Sequence, residues 1–147
     1  MKTFLFEASQ FLPHPRREVF DFFSDATNLE AITPPWLKFQ VMTPSPIHMH
    51  EGTLIDYRLR VHGVPLRWRT RIEAWEPPNR FVDGQLRGPY RLWHHEHEFE
   101  AVKGGTLMHD RIRYAPIGGA CVNRLFVRRD VEAIFAYRRN RLEQLFT

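Results

Sequence analysis

Cysteine is almost missing from this chain. Cys121 stands alone, which excludes a disulfide framework and a cysteine-based zinc site. No apolar run approaches the roughly 18 residues needed to cross a bilayer. The opening Met1 to Phe6 has a signal-like look, but Glu7 interrupts it and no small-residue cleavage site follows. A cytoplasmic location is therefore expected. Lys/Arg-rich tracts are absent as well. The net charge of +4 comes mostly from arginines scattered among acids, so no specific nucleic-acid partner is expected. Internal repeats, low-complexity segments, a nucleophile motif and a phosphate-binding loop are all lacking. These absences favour a binding protein over an enzyme of covalent or phosphoryl-transfer type, and no cofactor is implied.

What the chain does have is aromatic material and period-two patterning. Its 147 residues suit a single domain, 1–147, that buries about two thirds of its unfolded surface. Twelve Phe, four Trp and four Tyr suffice for a core, or for a core around an aromatic-lined hollow. Val122 to Phe146 is free of proline and reads as one long helix, with Val127, Val131, Ile134, Phe135, Leu142 and Leu145 on one stripe. Such a helix is about 37 Å long, close to the length of the strands described next. A sheet that curls beneath the helix and touches it incompletely leaves a pocket between them. Arg138 interrupts the stripe. Either its stem packs while its head escapes past a sheet edge, or the guanidinium faces the pocket and meets an acid there.

Lys2 to Phe11 alternates as a strand, with Phe4, Phe6 and Ala8 opposed to Leu5 and Glu7. Pro15 then suits the first position of a helix that places Val19, Phe22 and Phe23 on one face. Thr27-Asn28-Leu29-Glu30 has the form of a capping box for a second short helix, which stops before Pro34-Pro35. Trp36 rides on that stiff elbow as a candidate mouth residue, ahead of a strand at Lys38 to Thr43.

From Gly52 the alternation is strong. A four-residue loop at His62-Gly63-Val64-Pro65 puts Ile55, Tyr57, Leu59, Trp68, Thr70, Ile72 and Ala74 on one face and the arginines on the other. That register sets Asp56 opposite Arg71 and Arg58 opposite Arg69. Phe81 to Leu86 is a further strand whose alternation fits either face. The last pair, Arg91 to Ala101 and Thr106 to Tyr114, buries the face of Trp93, Phe99, Met108, Ile112 and Tyr114. His95, His97 and Asp110 are carried inward with it, with His97 directly opposite Asp110 and Glu96 opposite Arg111.

Two histidines on alternate residues project to the same side of a strand. Asp110 opposite His97 would orient that imidazole and raise its pKa. Three readings of this group are open: a buried network whose members satisfy one another, an anchor for a ligand, and an acid–base pair. In the catalytic reading His97 and Asp110 exchange the proton, while His95 or Arg138 steadies developing oxyanion charge. A zinc site is disfavoured because no further ligand motif accompanies the His-x-His and the Asp. His94 and His109 read as surface histidines.

The order of strand, two helices, six-strand meander and long helix resembles the helix-grip pattern. The phrases Pro15-Arg16-Arg17-Glu18-Val19-Phe20-Asp21-Phe22, Ile32-Thr33-Pro34-Pro35-Trp36, Gly52-Thr53-Leu54-Ile55-Asp56-Tyr57, Trp75-Glu76-Pro77-Pro78 and Gly88-Pro89-Tyr90 resemble the START-like, Bet v 1-like superfamily known as SRPBCC. So do Trp93-His94-His95-Glu96-His97 and Asp110-Arg111-Ile112-Arg113-Tyr114. The bacterial polyketide cyclase/dehydrase-like branch is the most similar. The resemblance implies an α+β fold: a curved antiparallel seven-stranded sheet, two short helices and a long C-terminal helix around a deep cavity. It implies a hydrophobic or aromatic small molecule as partner, or alternatively a cyclase/dehydratase-type reaction. It supplies no catalytic motif. The residues expected to meet the ligand are Tyr57, Trp68, Thr70, Trp93, His95, His97, Phe99, Asp110, Tyr114 and Arg138, with Trp36 at the mouth.

Overall fold

Alternating burial makes the first strand. Phe6, Gln10 and Leu12 point into the protein, while Leu5, Glu7 and Phe11 face water. Seven strands of this kind form one antiparallel sheet in the computed structural model, which describes all 147 residues. After β1 (Phe4–Leu12) come α1 (Arg16–Ser24), a 3-10 turn (Ala26–Asn28) and α2 (Leu29–Ile32). The short β2 (Gln40–Val41) precedes the meander of β3 (Leu54–Val61), β4 (Val64–Glu76), β5 (Arg80–Arg87), β6 (Tyr90–Val102) and β7 (Gly105–Pro116). The chain closes with α3 (Gly119–Val122), a π-helical turn (Asn123–Val127) and α4 (Arg128–Leu145), which run on without a break. Spatial order in the sheet is β1-β7-β6-β5-β4-β3-β2. This is the helix-grip arrangement of the α+β class. No helix is long and apolar enough to cross a membrane.

The β3–β4 hairpin differs from expectation. Val61 pairs with Val64, so the turn is His62-Gly63 alone, with φ of 49° and 79°. Two consecutive left-handed residues are what a tight hairpin turn requires. The pairing slips by two as a result. Asp56 lies opposite Arg69 rather than Arg71, and Arg69 donates to its carboxylate from Nε at 2.8 Å and Nη2 at 3.2 Å. Arg58 faces Arg67. A slip of two leaves every side chain on its face, so inside and outside stand as read. On β6 and β7 the register does match, with His97 opposite Asp110 and Glu96 opposite Arg111.

Two register shifts between β4 and β5, one skipping Leu86 of β5 and the other Glu73 of β4, bend these strands and help curl the sheet. Past the second of them Trp75, rather than Ala74, turns to the core, 5.2 Å from the Phe20 ring. The expected strand at Lys38 to Thr43 shortens to Gln40–Val41. The capping box at Thr27 does not form, because Asp25 takes the cap and accepts from the Thr27 N–H at 3.0 Å. Glu30 is left free to accept from the Val41 N–H at 2.8 Å, which ties α2 to β2.

Three apolar clusters hold the sheet to its helices. Val19, Phe20 and Phe23 of α1 pack with Phe81, Phe99, Met108, Leu142 and Phe146 at one end. Phe6, Ile112, Tyr114 and Val131 lock α4 over β1 and β7, and Ala26, Ile55, Tyr57 and Ile72 close the opposite side. Gln10 Nε2 donates to the Arg139 carbonyl at 2.9 Å, and Arg139 Nη1 donates to the Ser9 carbonyl at 2.8 Å, so α4 is fixed along the β1 edge. Its stripe ends differently from the helical reading. Leu145 is exposed, and Phe146 folds back into the core as the helix stops.

Candidate functional site

Three neighbouring strands each contribute polar side chains to the inner face: Asp83 from β5, His95 and His97 from β6, Asp110 from β7. Alternation puts both imidazoles on the same side, where each residue is 5% exposed. Straight across the ladder His95 faces Asp83 and His97 faces Asp110. The hydrogen bonds run on the diagonals instead. His95 Nε2 lies 2.8 Å from Asp110 Oδ1, and His97 Nε2 lies 2.6 Å from Asp83 Oδ2. Diagonal neighbours are within reach of long side chains. The two rings cross and stack, centroids 3.6 Å apart and planes 27° from parallel. The expected His97–Asp110 pair is thereby corrected. His97 Nδ1 is 3.5 Å from Asp110 Oδ1 without a hydrogen bond, because the stacked ring has turned its other nitrogen to Asp83.

Arg138 of α4 completes the group. Its Nη2 is 3.7 Å from Asp110 Oδ1, and its guanidinium lies over the rings of Phe23 and Phe135 at 5.1 and 5.3 Å. Of the two readings of this residue, the inward one holds. Arg138 Nε and Nη2, together with His97 Nδ1, are buried and have no hydrogen-bond partner.

Burial raises the pKa of both carboxyls, but their neighbours outweigh it. At Asp83 the opposing forces are the His97 hydrogen bond and the charges of His95, His97 and Arg138. At Asp110 they are the Arg138 charge and then the His95 hydrogen bond. Both acids therefore stay below the usual carboxylate range and are ionised at neutral pH. His97 moves down to about 4, first through burial and then through repulsion from His95, with the Asp83 hydrogen bond pulling the other way. The expectation that a carboxylate would raise the His97 pKa is overturned, because desolvation of a buried ring outweighs the partner.

A cavity of about 570 Å³ opens from this group between the sheet and α4. Tyr57, Trp68, Thr70, Trp93, His95, His97 and Arg138 line it, as does Trp36, which is 57% exposed and sits edge-on to Tyr137. Three of the residues assigned to the ligand lie elsewhere. Phe99 is a core residue packed on Phe20 and Phe23. Tyr114 is fully buried and donates its hydroxyl hydrogen to Asn123 Oδ1 at 2.7 Å. Asp110 stands behind the imidazoles and borders a second cleft of about 220 Å³ beside β1, with Arg138 between the two spaces. The sequence reading missed Phe81, Asp83, Tyr90 and Phe135 as lining residues. Asp83 was detectable in principle, since it lies two residues from Phe81, and a strand that buries Phe81 turns Asp83 the same way.

Asp83, His95 and His97 bring three potential ligand atoms within 4.8 Å of one another. Metal ligation requires imidazole lone pairs that converge on one point. Stacked, near-parallel rings aim theirs side by side, and the Arg138 cation adjoins the group. The geometry is that of two crossed Asp–His pairs. His94, near Glu73, and His109, bonded to Ser9, lie on the outer face as expected.

The model of a family described as polyketide cyclase/dehydrase and lipid transport matches residues 12–134. Among solved structures, Ara h 8.0201 is similar over 99% of this chain and 98% of its own, with a TM-score of 0.74 and 14% identity. Protein CV1439 from Chromobacterium violaceum is similar over 97% of each chain, with a TM-score of 0.76 and 12% identity. Major latex-like protein 151 from Panax ginseng is similar over 99% of this chain and 98% of its own, with a TM-score of 0.73 and 11% identity. At such identities the likeness is one of fold. No curated protein matches the sequence.

Proposed function

The chain belongs to the polyketide cyclase/dehydrase and lipid transport family, within the Bet v 1-like SRPBCC superfamily, and on that footing we propose that it is an intracellular binding protein for a hydrophobic or aromatic small molecule. The observation that carries this reading is the cavity of about 570 Å³, in which 22 of 33 lining residues are hydrophobic, with Asp83, His95, His97 and Arg138 gathered on one part of the wall and the His62–Asp130 pair on another. Small-molecule sites are built in this manner, with apolar walls for affinity and few polar groups for orientation. Native mass spectrometry of protein purified from its own host is expected to show a co-purifying molecule that leaves on unfolding. A filled-in variant, Thr70→Trp, is expected to lose it. If both proteins travel empty, the reading is wrong.

The crossed pairs favour a second reading, acid–base catalysis inside the same cavity. An aspartate that holds one imidazole nitrogen orients the ring and stabilises its protonated form, which is how a general base is supported. The geometry favours Asp110–His95 as this pair, in place of the His97–Asp110 pair read from the sequence. The co-purified molecule, incubated with the protein in D2O, is then expected to take up deuterium at carbon, and His95→Phe is expected to stop the uptake. An unchanged mass for the released molecule would eliminate catalysis by this route and leave binding standing.

A further inference from the structure

The chain has a net charge of +4, yet its large cavity is not lined in that sign. Histidines apart, the charged residues on the wall are two acids, Asp83 and Asp130, and one base, Arg138. Asp130 is met by His62 Nε2 at 2.9 Å. Arg138 turns its Nη2 toward Asp110 at 3.7 Å, an acid that stands behind the wall. Asp83 is different. Its Oδ2 accepts from His97 Nε2 at 2.6 Å, and burial keeps that imidazole neutral at pH 7 by moving its pKa down to about 4. His95 gives its Nε2 hydrogen to Asp110 at 2.8 Å and leaves Nδ1 3.9 Å from Asp83 Oδ2, beyond hydrogen-bond distance. The Asp83 carboxylate thus has no cation bonded to it.

The other oxygen of Asp83 is free and can be reached. Oδ1 takes no hydrogen bond, and it is not among the sealed, unpartnered polar atoms, which belong to His97 and Arg138. The Asp83 side chain is 19% exposed, more than those of His95, His97, Asp110 or Arg138, and it shows that surface on the cavity wall. Its surroundings are aromatic. Thr70 and Trp93 stand on the diagonals beside it, on β4 and β6. The rings of Trp68, Tyr90 and Trp93, all on the same wall, pack on one another with centroids 4.9 to 5.7 Å apart. Burial and the Asp83 charge push the Tyr57 pKa up, so its hydroxyl stays neutral.

A carboxylate facing a largely apolar hollow is costly until a cation or a donor reaches it. An ammonium supplies both, and the faces of aromatic rings attract it further. A ligand carboxylate would meet Asp83 as a like charge. Resting on the cavity-binding reading above, we infer that the ligand is an organic cation, a protonated amine on a hydrophobic ring framework. Its N–H donates to Asp83 Oδ1, with the aromatic wall of Trp68, Tyr90 and Trp93 beside it.

Three matched fluorescent probes test this at pH 7: protonated 1-pyrenemethylamine, neutral 1-pyrenemethanol and ionised 1-pyrenecarboxylate. In fluorescence titrations the amine is expected to bind about tenfold or more tightly than the alcohol, with the carboxylate the weakest. Non-specific attraction to a chain of net charge +4 favours the carboxylate, so an amine preference does not come from the outer surface. Asp83→Asn keeps an acceptor for His97 and is expected to bring the amine down to the affinity of the alcohol, which is itself unchanged. The series on the unaltered protein carries the test even where that variant fails to fold. Equal binding of amine and alcohol, or tightest binding by the carboxylate, overturns the amine inference and leaves cavity binding intact. An amine preference that survives Asp83→Asn overturns the role of Asp83. Binding by none of the three overturns the amine inference and cavity binding together.

Discussion

Asp110→Ala is expected to lose about 3–5 kcal/mol of folding stability, because one partner of a buried charge group disappears while the others stay. The Asp110 side chain is 9% exposed and accepts from His95 Nε2 at 2.8 Å. It is also the nearest acid to the Arg138 guanidinium, whose Nε and Nη2 have no hydrogen bond of their own. Without it the Arg138 guanidinium has no acid within 4 Å and an imidazole N–H loses its acceptor. Urea denaturation with linear extrapolation measures the change. Adding Arg138→Met to Asp110→Ala is expected to recover part of the loss, since the two groups share one interaction and their effects do not add. A single-variant loss under about 1 kcal/mol, the range of exposed pairs, would show that water reaches the guanidinium after all.

Acid is expected to weaken the fold earlier than carboxylate titration alone would. His97 in the folded protein takes its proton near a pKa of about 4, while in the unfolded chain it does so near the ordinary 6.5. Between those values the unfolded state holds the extra proton, so stability falls as pH falls from about 6.5 toward 4. At roughly 1.4 kcal/mol per pKa unit the loss reaches about 3 kcal/mol. Below that window Asp83 and Asp110, whose folded pKa values are depressed, continue the decline as they begin to protonate. Their stabilisation is complete above the unfolded carboxylate pKa and disappears below it. His97→Gln keeps an N–H for Asp83 but cannot titrate, and is expected to flatten the upper part of the curve. Equal stability at pH 6.5 and pH 4.5 in the unaltered protein would contradict the burial argument for this ring.

The sheet was legible because a two-sided surface writes itself as strict alternation, and a long helix as a stripe. Alternation is blind to slips of two, which is why Asp56 could be assigned to the outer face while its partner was read as Arg71 instead of Arg69. It fails altogether where a strand is buried on both sides or bulged. β5 carries Phe81 and Val82 both buried on successive residues, so its pattern pointed nowhere and Asp83 stayed hidden. The extra residue in β4 exchanged the roles of Ala74 and Trp75 for the same reason. Within the candidate site, placing His95, His97 and Asp110 on one face needed only the register. Choosing which imidazole meets which carboxylate depended on side-chain lean and stacking, which no spacing rule encodes. Phe99 and Tyr114 show the converse limit. Facing inward is a property of the strand, whereas facing the hollow depends on what α1 and the π-helical turn place above it.

The crossing of the two imidazoles has a consequence for anyone who would redesign this chamber. Each ring reaches over the other to a carboxylate on the far side, at a separation of 3.6 Å between centroids. A swing of either ring to a new rotamer gives up both its carboxylate and the stack, so the two positions are coupled. A combinatorial library that varies positions 95 and 97 independently ignores that coupling. Randomising them as a single paired unit, together with the carboxylates at 83 and 110, is the smaller search and the more productive one.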